Sequence, residues 1–274
     1  MEKNPCLRHD GDAGLSAIIV IPVYRTPDDR EEVALRQCQK MLGMRYPVEV
    51  VCPDGLDSGP FTAFLPNATF RRLAPSRFRN IKAYNALMLE PDFYRHYADY
   101  DYMLVYQPDA YVFSGNLDTW LKLGYDYIGA PWLPNDNWFQ LTIGEIVRAV
   151  KRRVSPIGST RRLKHAQFQY CVGNGGLSLR RIQCMIRVTE QYQREVASHA
   201  FPGDDWPEDV IIGAYYAHRH LVTTPDWRTA ASFSMDNALR RCYRVNGHQM
   251  PFGCHGWLKG TAWSGFWKQF IPLS

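Results

Sequence analysis

Tyr102-Met-Leu-Val-Tyr-Gln-Pro-Asp109-Ala-Tyr-Val-Phe113 is the stretch on which the reading of this chain turns. Its first five residues are apolar or aromatic, as a buried strand requires. Pro108 has no amide to give a sheet ladder, so the backbone must bulge or leave the strand there. Asp109 is thereby held at the carboxyl end of a strand, where open α/β sheets place their ligands. A carboxylate at such a place calls for a positive partner. A divalent cation, a Lys or Arg side chain, or a helix N-terminus would each serve.

Outward from that strand the chain alternates. Ser16–Tyr24 is a continuous apolar run, as a central parallel strand would be, and Val48–Cys52 reads as a second strand. Glu31–Leu42 carries apolar residues at helical spacing, and Asn80–Leu89 ends before Pro91. Tyr125–Ala130 reads as a further strand. Cys171–Leu179 reads as a glycine-rich loop entering a strand, Arg181–Val196 as a helix, and Val210–His220 as a helix opened by Pro207-Glu208-Asp209. Strands alternating with helices predict an α/β domain with a mostly parallel central sheet flanked by helices. The expected organisation is a loose tail over residues 1–15, one Rossmann-like domain over 16–258, and an aromatic tail over 259–274.

With 274 residues, 46% of them hydrophobic and 22% charged, the composition is that of a globular protein. The net charge of +5 comes from one segment. Arg148, Lys151, Arg152, Arg153, Arg161, Arg162 and Lys164 stand there without an acid among them, within a basic, flexible stretch expected at 134–168. Without those seven, the chain has 25 basic and 27 acidic residues, so a general nucleic-acid binder is excluded. The segment 148–164 could meet an anionic membrane surface, bind an anionic substrate, or simply be solvated. The seven cysteines are odd in number and form no Cys-x-x-Cys pair. They read as reduced thiols of a cytoplasmic protein rather than zinc ligands. No apolar run reaches the roughly 18 residues of a membrane span, and no signal peptide is visible.

Three more polar islands join Gln107-Pro108-Asp109: Val172-Gly-Asn-Gly-Gly-Leu-Ser178, Trp206-Pro-Glu-Asp-Val210 and Pro251-Phe-Gly-Cys-His-Gly-Trp257. The glycines permit close backbone approach to a ligand, or a plain tight turn. The adjacent carboxylates Glu208 and Asp209 raise each other's pKa, as a base needs, or simply favour a helix N-terminus.

Taken in order, these islands resemble the GT-A fold of nucleotide-sugar-dependent glycosyltransferases. Together with Tyr84-Asn85 and Tyr125-Asp-Tyr-Ile-Gly-Ala-Pro-Trp132, they also resemble a bacterial family of glycosyltransferase-like proteins, over roughly residues 16–257. The resemblance implies a nucleotide-binding half over 16–130 and an acceptor and catalytic half over 131–258. It implies Asp109 and His255 as ligands of Mn2+ or Mg2+, with Gln107 where the first Asp of an Asp-x-Asp motif usually stands. It implies Asp209 as the base that activates an acceptor hydroxyl, with Glu208 orienting the acceptor or Asp209 itself. The donor, a UDP-sugar, is expected at Pro22, Val23, Tyr24, Arg25, Asp54, Lys82, Asn85, Gln107 and Pro108. The sugar or acceptor, a glycan or lipid-linked glycan, is expected at Asn174, Gly175, Gly176, Trp132 and Trp206. The implied reaction is an inverting transfer of a hexosyl or N-acetylhexosaminyl group in bacterial polysaccharide synthesis. Two other classes compete. A nucleotidyltransferase usually carries a glycine-rich basic loop after its first strand, and Ile21–Arg25 has no glycine. A non-catalytic nucleotide- or glycan-binding protein would fit the replacement at Gln107.

Overall fold

Ala-Ile-Ile-Val-Ile-Pro, residues 17–22, is buried along its whole length, so this strand must be covered on both faces. A computed structural model describes residues 14–134, 157–158 and 165–273, and all that follows concerns those residues. The strands in chain order are β1 (Ala17–Pro22), β2 (Val48–Pro53), β3 (Thr69–Leu73), β4 (Tyr102–Tyr106), β5 (Ala110–Val112), β6 (Tyr127–Ile128), β7 (Leu177–Arg181), β8 (Ser234–Met235) and β9 (Gly253–His255). Six of them form the central sheet in the order β3-β2-β1-β4-β7-β6. The first four run parallel. β7 runs antiparallel to both β4 and β6.

Alternation along the strands sorts side chains into two cores. Ile18 and Val20 of β1 and Met103 and Val105 of β4 face one side, with Leu87, Met88, Ile182, Met185 and Val188 from the covering helices. Ile19, Ile21, Leu104 and Tyr106 face the other, with Leu35 and Cys38. The helices begin where local chemistry dictates. Asp28 and Glu31 form a reciprocal capping box at the start of Asp29–Cys38. Asn80 accepts from the Ala83 amide at the start of Ile81–Met88.

Several expectations are corrected at the edges. The first helix starts two residues before Glu31 and continues as a π-helical turn over Gln39–Gly43. Of Tyr125–Ala130 only Tyr127–Ile128 is a strand, paired with β7. The helix expected at Val210–His220 is present over residues 208–218, with a π-helical middle at Ile211–Tyr216.

A second sheet, β5-β9-β8, went unread in the sequence. It carries a third core of Tyr111, Cys254 and Trp257, on which Phe266, Trp267 and Ile271 of the aromatic C-terminal segment pack. The seven cations of the basic segment lie outside the described residues. Among the described residues, no helix is long and apolar enough to cross a membrane.

Candidate active site

Gln107 and Asp109 occupy the turn between β4 and β5. The Gln107 amide donates to the Gly176 carbonyl at 2.8 Å, and the Ala110 amide closes the turn onto the Gln107 carbonyl at 2.8 Å. The chain leaves the central sheet at Pro108 and enters the second sheet at Ala110, as the missing proline amide requires. There Ala110 is the register partner of His255 in β9, and the Gly256 amide donates to the Asp109 carbonyl at 2.9 Å. This pairing brings the Asp109 and His255 side chains together.

His255 is buried and clamped. Its Nε2 lies 3.1 Å from Asp109 Oδ1 and 2.9 Å from Gln107 Oε1. Its Nδ1 donates to Asp236 Oδ1 at 3.2 Å, from the residue that follows β8. Burial alone would lower the imidazole pKa, but hydrogen bonds to Asp109 and Asp236 and their charges raise it to about 9. Burial would raise the Asp109 and Asp236 carboxyls, yet the His255 hydrogen bond and charge, with Lys259, hold both below the ordinary value. Lys259 Nζ stands 3.5 Å from Asp236 Oδ1.

Across the site, β7 is preceded by the glycine loop. Asn174 sits in the left-handed region with φ 59°, and its Oδ1 accepts from the Gly176 amide at 3.3 Å. A Cβ on Gly175 would lie 2.0 Å from Glu208 Oε1, and one on Gly176 would lie 2.0 Å from His255 Nε2. No side chain fits at either position, because the loop backbone presses directly on both flanking motifs.

Glu208 and Asp209 face different ways. Glu208 is buried and binds Arg180 of β7 through both oxygens, at 2.9 and 3.1 Å. Asp209 Oδ2 accepts from the Gly175 amide at 3.3 Å, and its Oδ1 accepts from the Val210 amide at 2.9 Å. Burial raises the Asp209 pKa above its ordinary value, against the pull of those two amides.

These groups share a cavity of about 870 Å³, within the range for small-molecule sites. Lys82, Asn85, Gln107, Asp109, Asn174, Gly175, Gly176, Trp206, Glu208, Asp209 and His255 all line it. Trp206 is itself buried, packed edge-on against Phe201 and Tyr215. Lys82 pairs at the rim with Asp205 at 2.8 Å. Other expected residues stand apart from the lining. Pro22, Val23, Tyr24, Arg25 and Asp54 end or follow β1 and β2, with Tyr24 64% exposed and Arg25 turned onto Glu31. Pro108 only shapes the turn, and Trp132 packs edge-on against Phe168.

Three charged residues escaped the sequence reading. Arg180 had a signal, since it follows Leu177 and Leu179 in a strand and so faces the opposite side. Asp236 and Lys259 had none beyond their charge.

The site fits a divalent cation in kind. Asp109 offers a hard oxygen and His255 Nε2 a nitrogen, while Asp236 on Nδ1 would fix the ring as carboxylates behind metal-bound histidines do. Among the described residues, no group of three or more His, Cys, Asp or Glu side chains could hold a metal ion.

A family model described as Protein of unknown function (DUF5672) matches residues 67–255. No curated protein matches the sequence. Among solved structures, mouse xyloside xylosyltransferase 1 in its apo form is similar at 10% identity and a TM-score of 0.53, covering 88% of this chain and 98% of that one. The galactosyltransferase LgtC, solved in complex with donor and acceptor sugar analogues, is similar at 16% identity and a TM-score of 0.51, covering 86% of each chain. The WbbM bifunctional glycosyltransferase, apo, is similar at 12% identity and a TM-score of 0.50, with 92% of this chain and 47% of that one covered. The fold is thus the α/β arrangement of GT-A glycosyltransferases.

Proposed function

We propose that this chain, which belongs to the DUF5672 family, is a glycosyltransferase that moves a sugar from a nucleoside diphosphate to a hydroxyl group of an acceptor. The observation that carries this reading is the meeting of Asp109, His255 and Asp209 on one cavity of a GT-A sheet. Release of UDP from sugar nucleotides, measured with Mn2+ present, tests it.

Breaking the glycosidic bond leaves negative charge on the departing diphosphate. Mn2+ or Mg2+, held by Asp109 and His255, would neutralise that charge without proton transfer. Lys259, also on the cavity, adds a positive charge beside the same end. Asp236 holds the His255 ring with Nε2 toward Asp109. Gln107 replaces a carboxylate with a neutral amide, so the site carries one negative charge fewer to repel a diphosphate.

The acceptor hydroxyl needs a base. Asp209 is suited to that role. It lines the cavity, its raised pKa favours taking a proton, and the Gly175 and Val210 amides fix its orientation. A base placed for the acceptor fits a single displacement, which inverts the anomeric carbon.

The donor in this reading is a UDP-sugar, hexosyl or N-acetylhexosaminyl. Lys82 and Asn85 would meet it from the helix Ile81–Met88, and Tyr24, Arg25 and Asp54 would take the nucleoside. Asn174 and Trp206 would meet the sugar or acceptor, a glycan or lipid-linked glycan of a bacterial polysaccharide pathway. The protein would then work in the cytoplasm, with residues 148–164 against the anionic inner face of the membrane. Liposome flotation of the full chain, with and without those cations neutralised, tests the last point; equal flotation would remove it.

A further inference from the structure

Burying an Arg–Glu pair is expensive, and well-packed apolar residues often serve stability as well or better. Arg180 and Glu208 are nevertheless fully enclosed, at 0% and 2% exposure. What the pair touches gives it a purpose. Arg180 Nη1 donates to the Tyr94 hydroxyl at 2.8 Å, Nε to Ser178 Oγ at 2.9 Å, and Nη2 to the Gly175 carbonyl at 3.4 Å. The Tyr94 hydroxyl in turn donates to the Met88 carbonyl at 2.9 Å. The guanidinium therefore ties β7 to the helix Ile81–Met88, to the glycine loop and to Glu208.

The bonds close a ring. Arg180 holds the Gly175 carbonyl, the Gly175 amide holds Asp209 Oδ2, Asp209 is joined by a peptide bond to Glu208, and both Glu208 oxygens return to Arg180. Gly175 is the one residue in the ring without a side chain. Its Cα faces Glu208 so closely that a methyl group would collide with the carboxylate. Glu208 thus has both oxygens on Arg180 and is almost wholly enclosed.

We propose that Arg180 and Glu208 are positioning residues, a charged brace that fixes the Gly175 peptide and so aims the Asp209 carboxylate into the cavity. Glu208 touches no acceptor in this assignment. The proposal rests on the reading of Asp209 as the base. It adds a division of labour to the adjacent carboxylates: one is spent on geometry and the other is kept for chemistry.

The test is the full chain carrying Arg180→Gln together with Glu208→Gln, which removes both charges and leaves none unpaired. The double variant is expected to fold, with UDP-release kcat down about a hundredfold, the cost of misplacing a reacting group by about 1 Å, and with donor KM unchanged. Amide exchange at Gly175 and Val210, followed by NMR, should speed up in the same variant. Retained kcat together with unchanged exchange would overturn the proposal. So would Glu208→Gln alone if it raised acceptor KM and spared kcat, since Glu208 would then be an acceptor contact. Should the double variant not fold, Tyr94→Phe removes one of the guanidinium's partners without burying a charge. It should lower kcat and protection in the same sense, and no change in either counts against the brace. A wild-type chain that releases no UDP would defeat the glycosyltransferase reading alone, because the exchange measurement needs no turnover.

Discussion

His255 Nε2 lies 3.1 Å from Asp109 Oδ1 because Ala110 and His255 are register partners in a three-residue strand pairing. A motif that ends the central sheet and a motif near the carboxyl terminus become one site through the small second sheet.

Asp109→Ala removes the hard oxygen ligand. UDP binding measured by calorimetry should lose its dependence on Mn2+, and UDP release should fall at least a hundredfold, in line with the several kcal/mol a catalytic metal supplies. Metal-dependent binding that survives in this variant would remove Asp109 from the cation site.

Asp209→Asn keeps the shape and one oxygen to accept from the Gly175 or the Val210 amide, but loses the base. Donor affinity should be unchanged while transfer to the acceptor drops about 10²–10⁴-fold, the usual contribution of a general base. A parallel loss of donor affinity would instead mark Asp209 as a donor contact.

Gly175→Ala places a methyl group 2.0 Å from Glu208 Oε1, inside a buried ion pair that has no room to move. Overpacking of this kind costs about 1–3 kcal/mol, to be read as a lower midpoint in urea. Gly247→Ala, where nothing stands within 4 Å of the added carbon but φ is +63°, separates backbone strain from collision: it should cost less.

His255 has its pKa raised from 6.5 to about 9 in the folded chain. A raised folded value contributes stability in full below 6.5, and that contribution is lost as pH climbs through 9. The metal-free protein should therefore lose on the order of 3 kcal/mol between those limits from this group. His255→Gln should flatten the dependence of Tm on pH across that window. Saturating Mn2+ should flatten it too, because the cation takes the place of the proton on Nε2.

Much of this was readable from the residues. β1 and β4 are continuous apolar runs and β2 is one but for Glu49, and Asn80 and Pro207 stand where caps and helix starts belong. The turn at Pro108 put Asp109 at a strand end, and Asp109, His255, Glu208 and Asp209 were all picked out. The second sheet was not readable, because strands of two or three residues such as Ser234–Met235 show no period. Asp236 was missed for that reason, since only the β8–β9 pairing brings it to His255. For Arg180 the strand alternation gave its face, but its partners, Tyr94 and Glu208, are distant in the chain. In the π-helical segment Ile211–Tyr216, Gly213 packs closely: a Cβ there would lie 2.3 Å from the Val172 carbonyl. The donor residues at the ends of β1 and β2 came from resemblance, and they stand outside the cavity that gathers the others.

The central claim is that this cavity holds a sugar nucleotide by its diphosphate, through a cation on Asp109 and His255. It is tested most directly by incubating the full chain with a panel of UDP-sugars and Mn2+ and following UDP. The account predicts slow release from at least one of them, abolished by EDTA and by Asp109→Ala. Release that is indifferent to both treatments, or no release and no binding from any sugar nucleotide, would contradict it.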